Sequence, residues 1–256
     1  MDMALGSRGR AFGKALSVIL IVGGLVAMGV GLLTFGGEQQ AVAKYEELAD
    51  VSDRTAATDP GAATGAGRDW AGLRAINPDV AAWVTIGNTP IDYPVMQPGK
   101  DKPEGYYLHH DMWGNRSSVG TPYLEDGSTA EGKHSLVYGH HLGMTQKMFS
   151  PVSQTYKQEV FDGLGEMSWD TPEGTHHLVP LFAMKVDMSY QPIQQYEFKD
   201  DAEMREWLQT LSKDASAFSD RWQDKAAQAK KVVTTVACSS LMAGQRPRTL
   251  TVFVEV

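Results

Sequence analysis

From Ala81 to the C-terminus the chain is cut into short apolar runs by Gly, Pro, Asn and Asp, and the runs are β-branched or alternate with period two. That is the signature of strands joined by turns, and it predicts a mainly β domain. The runs are Ala81 to Ile86, Ile91 to Met96, Thr121 to Leu124, Ser135 to Tyr138, His177 to Val186, Val232 to Ala237 and Thr249 to Val256. One clear helix interrupts them. Asp200 with Glu203 three residues later forms a start signal, and Met204, Trp207, Leu208 and Leu211 fall on one helical face that packs on the sheet. A shorter helix is predicted where Asp69 precedes Trp70-Ala71-Gly72-Leu73 as its cap. The sequence contains no internal repeat, no Gly-rich phosphate loop and no heptads.

Upstream, Ala15 to Phe35 is a run of 21 residues without a charge, preceded by Arg8, Arg10 and Lys14. As a helix it would be roughly 31 Å long, enough to cross the hydrocarbon core of a bilayer. The cations before it place the N-terminus in the cytoplasm and everything after Phe35 outside. This is the pattern of an uncleaved signal anchor, since a cleavable signal has an apolar stretch of only about 7 to 15 residues. Glu38 to Arg54 has helical spacing, whereas TAATDPGAATGAG is too small and polar to bury a core and reads as a tether. The expected organisation is a cytoplasmic N-terminus (1–14), a single transmembrane anchor (15–35), an extracellular helix and flexible stalk (36–68) and a folded domain (69–256).

Composition narrows the function. With 23 Lys and Arg against 31 Asp and Glu the net charge is −8, which gives no long-range attraction to nucleic acid. A single cysteine, Cys238, forbids an internal disulfide and any multi-thiolate metal site. It ends the run Val232 to Ala237, where a thiol sits on a rigid support as the chain turns polar. A buried structural cysteine is the competing reading.

The seven histidines are His109, His110, His134, His140, His141, His176 and His177. His140 follows the run Ser135 to Tyr138 through Gly139, again at a strand exit, where it can serve as acid or base. Zinc needs convergent ligands, and no His-Glu-x-x-His or cysteine pair is present, so no metal or cofactor is expected. The doubled histidines read as solvated loop residues. Arg246 and Arg248 flank Pro247 ahead of the last strand, and an arginine there can hold a carbonyl or an oxyanion.

In order along the chain stand DWAGLRAINPDVAAWVTI, IDYPVMQ, GYYLHHDMWGN, TPYLED, SLVYGHHLGMTQKMF, the late helix, VVTTVACSS and RTLTVFVEV. This series, from Asp69 to Val256, resembles class B sortases, the cysteine transpeptidases that attach proteins to the wall of Gram-positive bacteria. The resemblance implies an eight-stranded β-barrel with peripheral helices, and closure fits because it leaves no exposed strand edges. It also implies roles: Cys238 as nucleophile, His140 as proton donor and acceptor, and Arg248 as stabiliser of substrate and oxyanion, with Arg246 as the fallback. Pro247 is expected to interrupt strand pairing between the two arginines.

The partners implied are secreted proteins bearing a C-terminal sorting motif, and an acceptor amine from peptidoglycan or a pilin. One departure concerns Ala237, which stands where the family's cysteine motif usually has a threonine and so lacks its hydroxyl. The rival readings are a cell-wall cysteine peptidase and an L,D-transpeptidase, whose residue order or motif fits poorly, and a membrane-anchored binding domain that has lost its chemistry.

Overall fold

The structure is a computed structural model that describes residues 37–51, 67–143, 145–238 and 246–256. The expected anchor, Ala15 to Phe35, and the tether TAATDPGAATGAG except its last residue, Gly67, lie outside the described residues. Among the described residues no helix is long and apolar enough to cross a membrane. The chain forms two compact units, Met1–Ala43 and Lys44–Val256. In the first, residues 37–43 are helical; the second opens with helix α1, residues 44–51.

Helix α2 (Trp70–Ile76) is capped as its sequence predicts, the Asp69 carboxylate accepting the Gly72 amide at 2.8 Å. Strands β1 (Val80–Ile86), β2 (Ile91–Met96), β3 (Tyr123–Leu124) and β4 (His134–Tyr138) follow. After the short helix α3 (Gln158–Phe161) come β5 (Met167–Thr171) and β6 (Gly174–Asp187). Helix α4 (Asp201–Leu211), β7 (Ala217–Phe218), α5 (Trp222–Gln228), β8 (Lys231–Cys238) and β9 (Pro247–Glu255) complete the order. The sheet runs β5-β1-β2-β3-β4-β8-β9-β6, and β6 pairs back onto β5. Eight strands therefore close a barrel, and the two-residue β7 extends β6 on its outside.

Closure depends on β5, which has no counterpart among the sequence-predicted strands. Its residues Met167-Ser168-Trp169-Asp170-Thr171 are too polar to read as apolar, yet they pair with β1 on one side and β6 on the other. Strand β6 is longer than its apolar run, and its register shifts between Pro180 and Phe182, where proline cannot donate to the ladder. His177 lies on this strand as its run predicts, and His176, just before that run, is also on the strand rather than in a loop and bonds the Glu255 carboxylate at 3.0 Å. Pro247 likewise departs from expectation. It is the first residue of β9 and pairs with Asp187, because at a strand's first position the missing N–H costs no ladder bond.

The outer face of β4, β8, β9 and β6 is covered by α4 and α5. Met204, Trp207, Leu208 and Leu211 of α4 pack with Leu136, Val232, Val236, Leu250 and Val252. Asp200 caps α4 by accepting the Glu203 amide at 3.0 Å, so the start signal read from the sequence is the one the helix uses. Strand β8 is buried on both faces, which explains its uninterrupted run of β-branched residues between the parallel partner β4 and the antiparallel partner β9.

Candidate active site

The backbone places three chemistry-bearing residues toward one end of the barrel because β4, β8 and β9 are consecutive in the sheet. In the parallel ladder Tyr138 pairs with Val236, and Gly139 N donates to Val236 O at 3.1 Å. His140 stands two residues beyond Tyr138, and Cys238 two residues beyond Val236. Strand β9 starts where β8 ends, and its Arg248 is directly opposite Cys238 in the register. Strand alternation puts positions 138, 236 and 248 on the sheet face that carries α4.

His140 is held from the side by a backbone group. Its Nε2 lies 2.6 Å from Leu108 O. A carbonyl only accepts, so Nε2 carries the proton and Nδ1 is the atom left for chemistry. Among the described residues Nδ1 has no hydrogen-bond partner. Burial pushes the imidazole pKa down, the Leu108 carbonyl pulls it up, and the neighbouring His109 ring, centred 6.5 Å away, lowers it. Gly139 is required by packing, since a Cβ there would fall 2.5 Å from the Phe149 ring.

The two arginines have different surroundings. Arg246 is exposed and binds Asp187 through Nε at 2.8 Å and Nη2 at 2.5 Å. That pair holds the Asp187 carboxyl well below the usual carboxylate range, with Ser189 assisting. Arg248 is half-buried, and its charge bears on the phenols of Tyr123 and Tyr138, which stack 5.6 Å apart. Beside them Glu125 is pushed upward by burial and by the neighbouring Glu104.

An open cleft of about 780 Å³, lined by Gln97, Glu104, Tyr123, Glu125, Gln194 and Tyr196 among others, reaches strand β3, whose Tyr123 pairs with Tyr138. Among the described residues no group of three or more His, Cys, Asp or Glu is placed to hold a metal ion. Sequence reasoning did not find the Leu108 carbonyl, because a backbone acceptor leaves no mark in residue type. Glu125 stands in the TPYLED stretch, but only tertiary packing sets it against Tyr138 and Glu104.

No family model matches the chain. Sortase B of Listeria monocytogenes is 26% identical over 141 residues, which is 54% of this chain and 55% of that one. Sortase B of Staphylococcus aureus is 24% identical over 150 residues, 58% of this chain and 59% of that one. The chain thus spans a little over half the length of these curated relatives. A Staphylococcus aureus sortase B–substrate complex superposes with a TM-score of 0.70 at 20% identity, covering 85% of this chain and 98% of that one. The chain has the sortase B fold. The sortase B structure from Clostridium perfringens agrees, with a TM-score of 0.62 at 20% identity over 73% of this chain and 98% of that one. A sortase B crystallised with triglycine superposes with a TM-score of 0.69 at 20% identity, covering 85% of this chain and 99% of that one.

Proposed function

We propose that this protein is a membrane-anchored cysteine transpeptidase of the sortase kind. The observation that carries the reading is the strand register, which sets Cys238 of β8 opposite Arg248 of β9 and leaves His140 two residues beyond the end of the neighbouring β4. In this reading the Cys238 thiolate attacks a backbone carbonyl of a sorting motif, forming an S–C bond and a tetrahedral oxyanion. Arg248 offers its guanidinium N–H groups to that oxyanion. As the C–N bond breaks, protonated Nδ1 of His140 gives its proton to the leaving amine, and a thioester remains on the enzyme.

Neutral Nδ1 then takes a proton from an incoming amine, which attacks the thioester carbonyl and expels the thiolate. The bond to Leu108 O leaves Nδ1 free for both transfers. Burial, the largest cause, lowers the imidazole pKa and favours the basic form, while the Leu108 carbonyl partly opposes it by favouring the charged acid. Water in place of the amine would give hydrolysis.

The acyl donor is a peptide segment of a secreted protein, laid along the cleft that includes Tyr123 and Tyr196. The acceptor is an amine of peptidoglycan or a pilin. The uncharged run Ala15 to Phe35 and the cations before it support a single-pass anchor with the catalytic domain outside the cell. Tethering beside growing wall raises the local concentration of acceptor amines over that of a freely diffusing enzyme.

The test is a sorting-type peptide presented to the purified protein with and without an amine such as triglycine. Product carrying the amine, together with a thioacyl adduct on Cys238 seen by mass spectrometry, is expected. Free acid alone with every amine would reassign the protein to the cysteine peptidases. No adduct at all would leave the binding-domain reading. Protease added to intact cells should digest the domain and spare the N-terminus, whereas a fully released soluble protein would overturn the anchor.

A further inference from the structure

Residues 44–51 of α1 precede the barrel, and their side chains are fastened to both loops that frame His140. The first is the segment from Tyr106 to Thr121. The Tyr45 hydroxyl lies buried in it, 3.1 Å from Gly120 O, 2.8 Å from Thr121 Oγ1 and 3.1 Å from Met112 N, whose proton it accepts. Gly120, at φ +61°, is pressed against the carbonyls of Tyr107 and Leu108: a Cβ there would fall 2.5 Å from Tyr107 O and 2.9 Å from Leu108 O. Thr121 N donates to Tyr107 O at 2.9 Å. Leu108 O is the atom that binds Nε2 of His140. One hydroxyl on α1 therefore fastens the Gly120–Thr121 backbone, which is itself bonded to Tyr107 O and leaves no room for a side chain beside the carbonyl that orients the imidazole.

The second loop runs from His141 to Phe149. The Tyr45 ring meets the Tyr93 ring edge-on, with centroids 5.9 Å apart, and the Tyr93 hydroxyl accepts from Met148 N at 3.3 Å. Phe149 N donates to the His140 carbonyl at 2.9 Å. Glu46, next to Tyr45, forms an ion pair with Lys147 in the same loop. Lys44, one residue before it, lies 5.7 Å from the centre of the Trp113 ring in the first loop.

We propose that Tyr45 is a positioning residue for His140, holding its imidazole through the Gly120–Leu108 contact on one side and the Tyr93–Met148 contact on the other. This rests on the transpeptidase reading for its consequence in turnover, but not for its geometry. A stiff splint matters here because His140 must present Nδ1 first to one amine and then to another. A displacement of about 1 Å at a proton-transfer group can cost on the order of a hundredfold in rate.

Tyr45→Phe keeps the ring and its edge contact and deletes only the hydroxyl. Two measurements on the full chain decide the proposal. In ¹⁵N-edited spectra the wild-type His140 ring should show a single tautomer protonated at Nε2, and Tyr45→Phe should convert it to a mixture or broaden it. In transfer assays well below the thermal midpoint, kcat should fall by about tenfold with KM within about twofold. The loss should vanish in a His140→Ala background, because a residue acting through the ring cannot add to its removal. Glu46→Gln should give a smaller change of the same kind.

An unchanged imidazole spectrum and unchanged kcat in Tyr45→Phe would overturn the proposal. So would an equal kcat loss with and without His140, which would mark Tyr45 as a general structural residue. If the wild type transfers no peptide, the functional reading fails, and the imidazole spectrum alone still decides this proposal.

Discussion

Strand β4 has a histidine at its first position and another just past its last, and the two are built for different ends. His134 is fully buried, with Nδ1 2.8 Å from Gln195 O and Nε2 3.0 Å from Thr234 Oγ1. Its ring lies against Trp207, 4.7 Å between centroids, and burial lowers its pKa to about 4. Both nitrogens are spent, so this imidazole ties β4 to β8 and to the segment before α4, and it cannot exchange protons with a substrate. His140, six residues on, is half-buried and has one nitrogen bonded to a backbone carbonyl. Residue type is the same; the number of satisfied nitrogens separates a ring with no nitrogen to spare from one with a nitrogen available for proton exchange.

That contrast is broken or sharpened first by His140→Ala, which should cut transfer by about 10²- to 10⁴-fold while iodoacetamide still labels Cys238 in the folded protein. Labelling lost together with activity would mean that the ring is structural too. Arg248→Lys should follow, with a drop of about 10²-fold, because an ammonium keeps the charge but not the planar set of donors. Steady-state transfer rates check both.

His134→Ala should act on stability instead. It removes a packed ring and orphans Thr234 Oγ1 and Gln195 O, at a cost of about 3 kcal/mol, or roughly 6–12 °C in the thermal midpoint. Calorimetry measures the fall. Transfer per folded molecule should stay close to wild type, and a kinetic defect without a stability defect would erase the distinction between the two histidines.

The same residue predicts a pH effect. Its folded pKa of about 4 lies below the unfolded 6.5, so between those values the unfolded chain binds more protons and stability rises with pH. The contribution is complete above pH 6.5 and is lost as the pH falls toward 4. Urea unfolding across that window should show the slope, and His134→Gln should flatten it. Burial of His140 lowers its pKa and adds a slope of the same sign. The smallest effect expected is that of Arg246→Ala, which deletes an exposed pair with Asp187 and should leave both stability and transfer nearly unchanged. Inactivity of that variant with a normal Arg248→Ala would exchange the two arginines.

Much of this was legible from residues alone. Period-two runs located β1, β2, β4, β8 and β9 within a residue or two, because one-sided or complete burial forces alternation or continuous apolarity on a strand. Asp69 and Asp200 announced their helices because a cap is a local bond between a side chain and an amide three residues away. Cys238, His140 and Arg248 stood out as polar residues at the edges of apolar runs. Local rules could reach no further than local causes.

Closure of the barrel was decided by β5, whose polar residues become a strand only when β1 and β6 flank them. Pro247 turned out to begin β9 rather than to interrupt it, since what matters is whether its missing N–H would have faced a partner. The proton on Nε2 of His140 was decided by a carbonyl 32 residues earlier in the chain, and the burial of Tyr45 by loops more than 60 residues away. The sequence determined which residues can carry acid, base, thiol and cation, because those are properties of side chains. Which nitrogen is occupied, which arginine lies opposite the cysteine and what holds the imidazole still were decided by the tertiary structure, because hydrogen bonding and burial depend on neighbours that only the folded chain brings together.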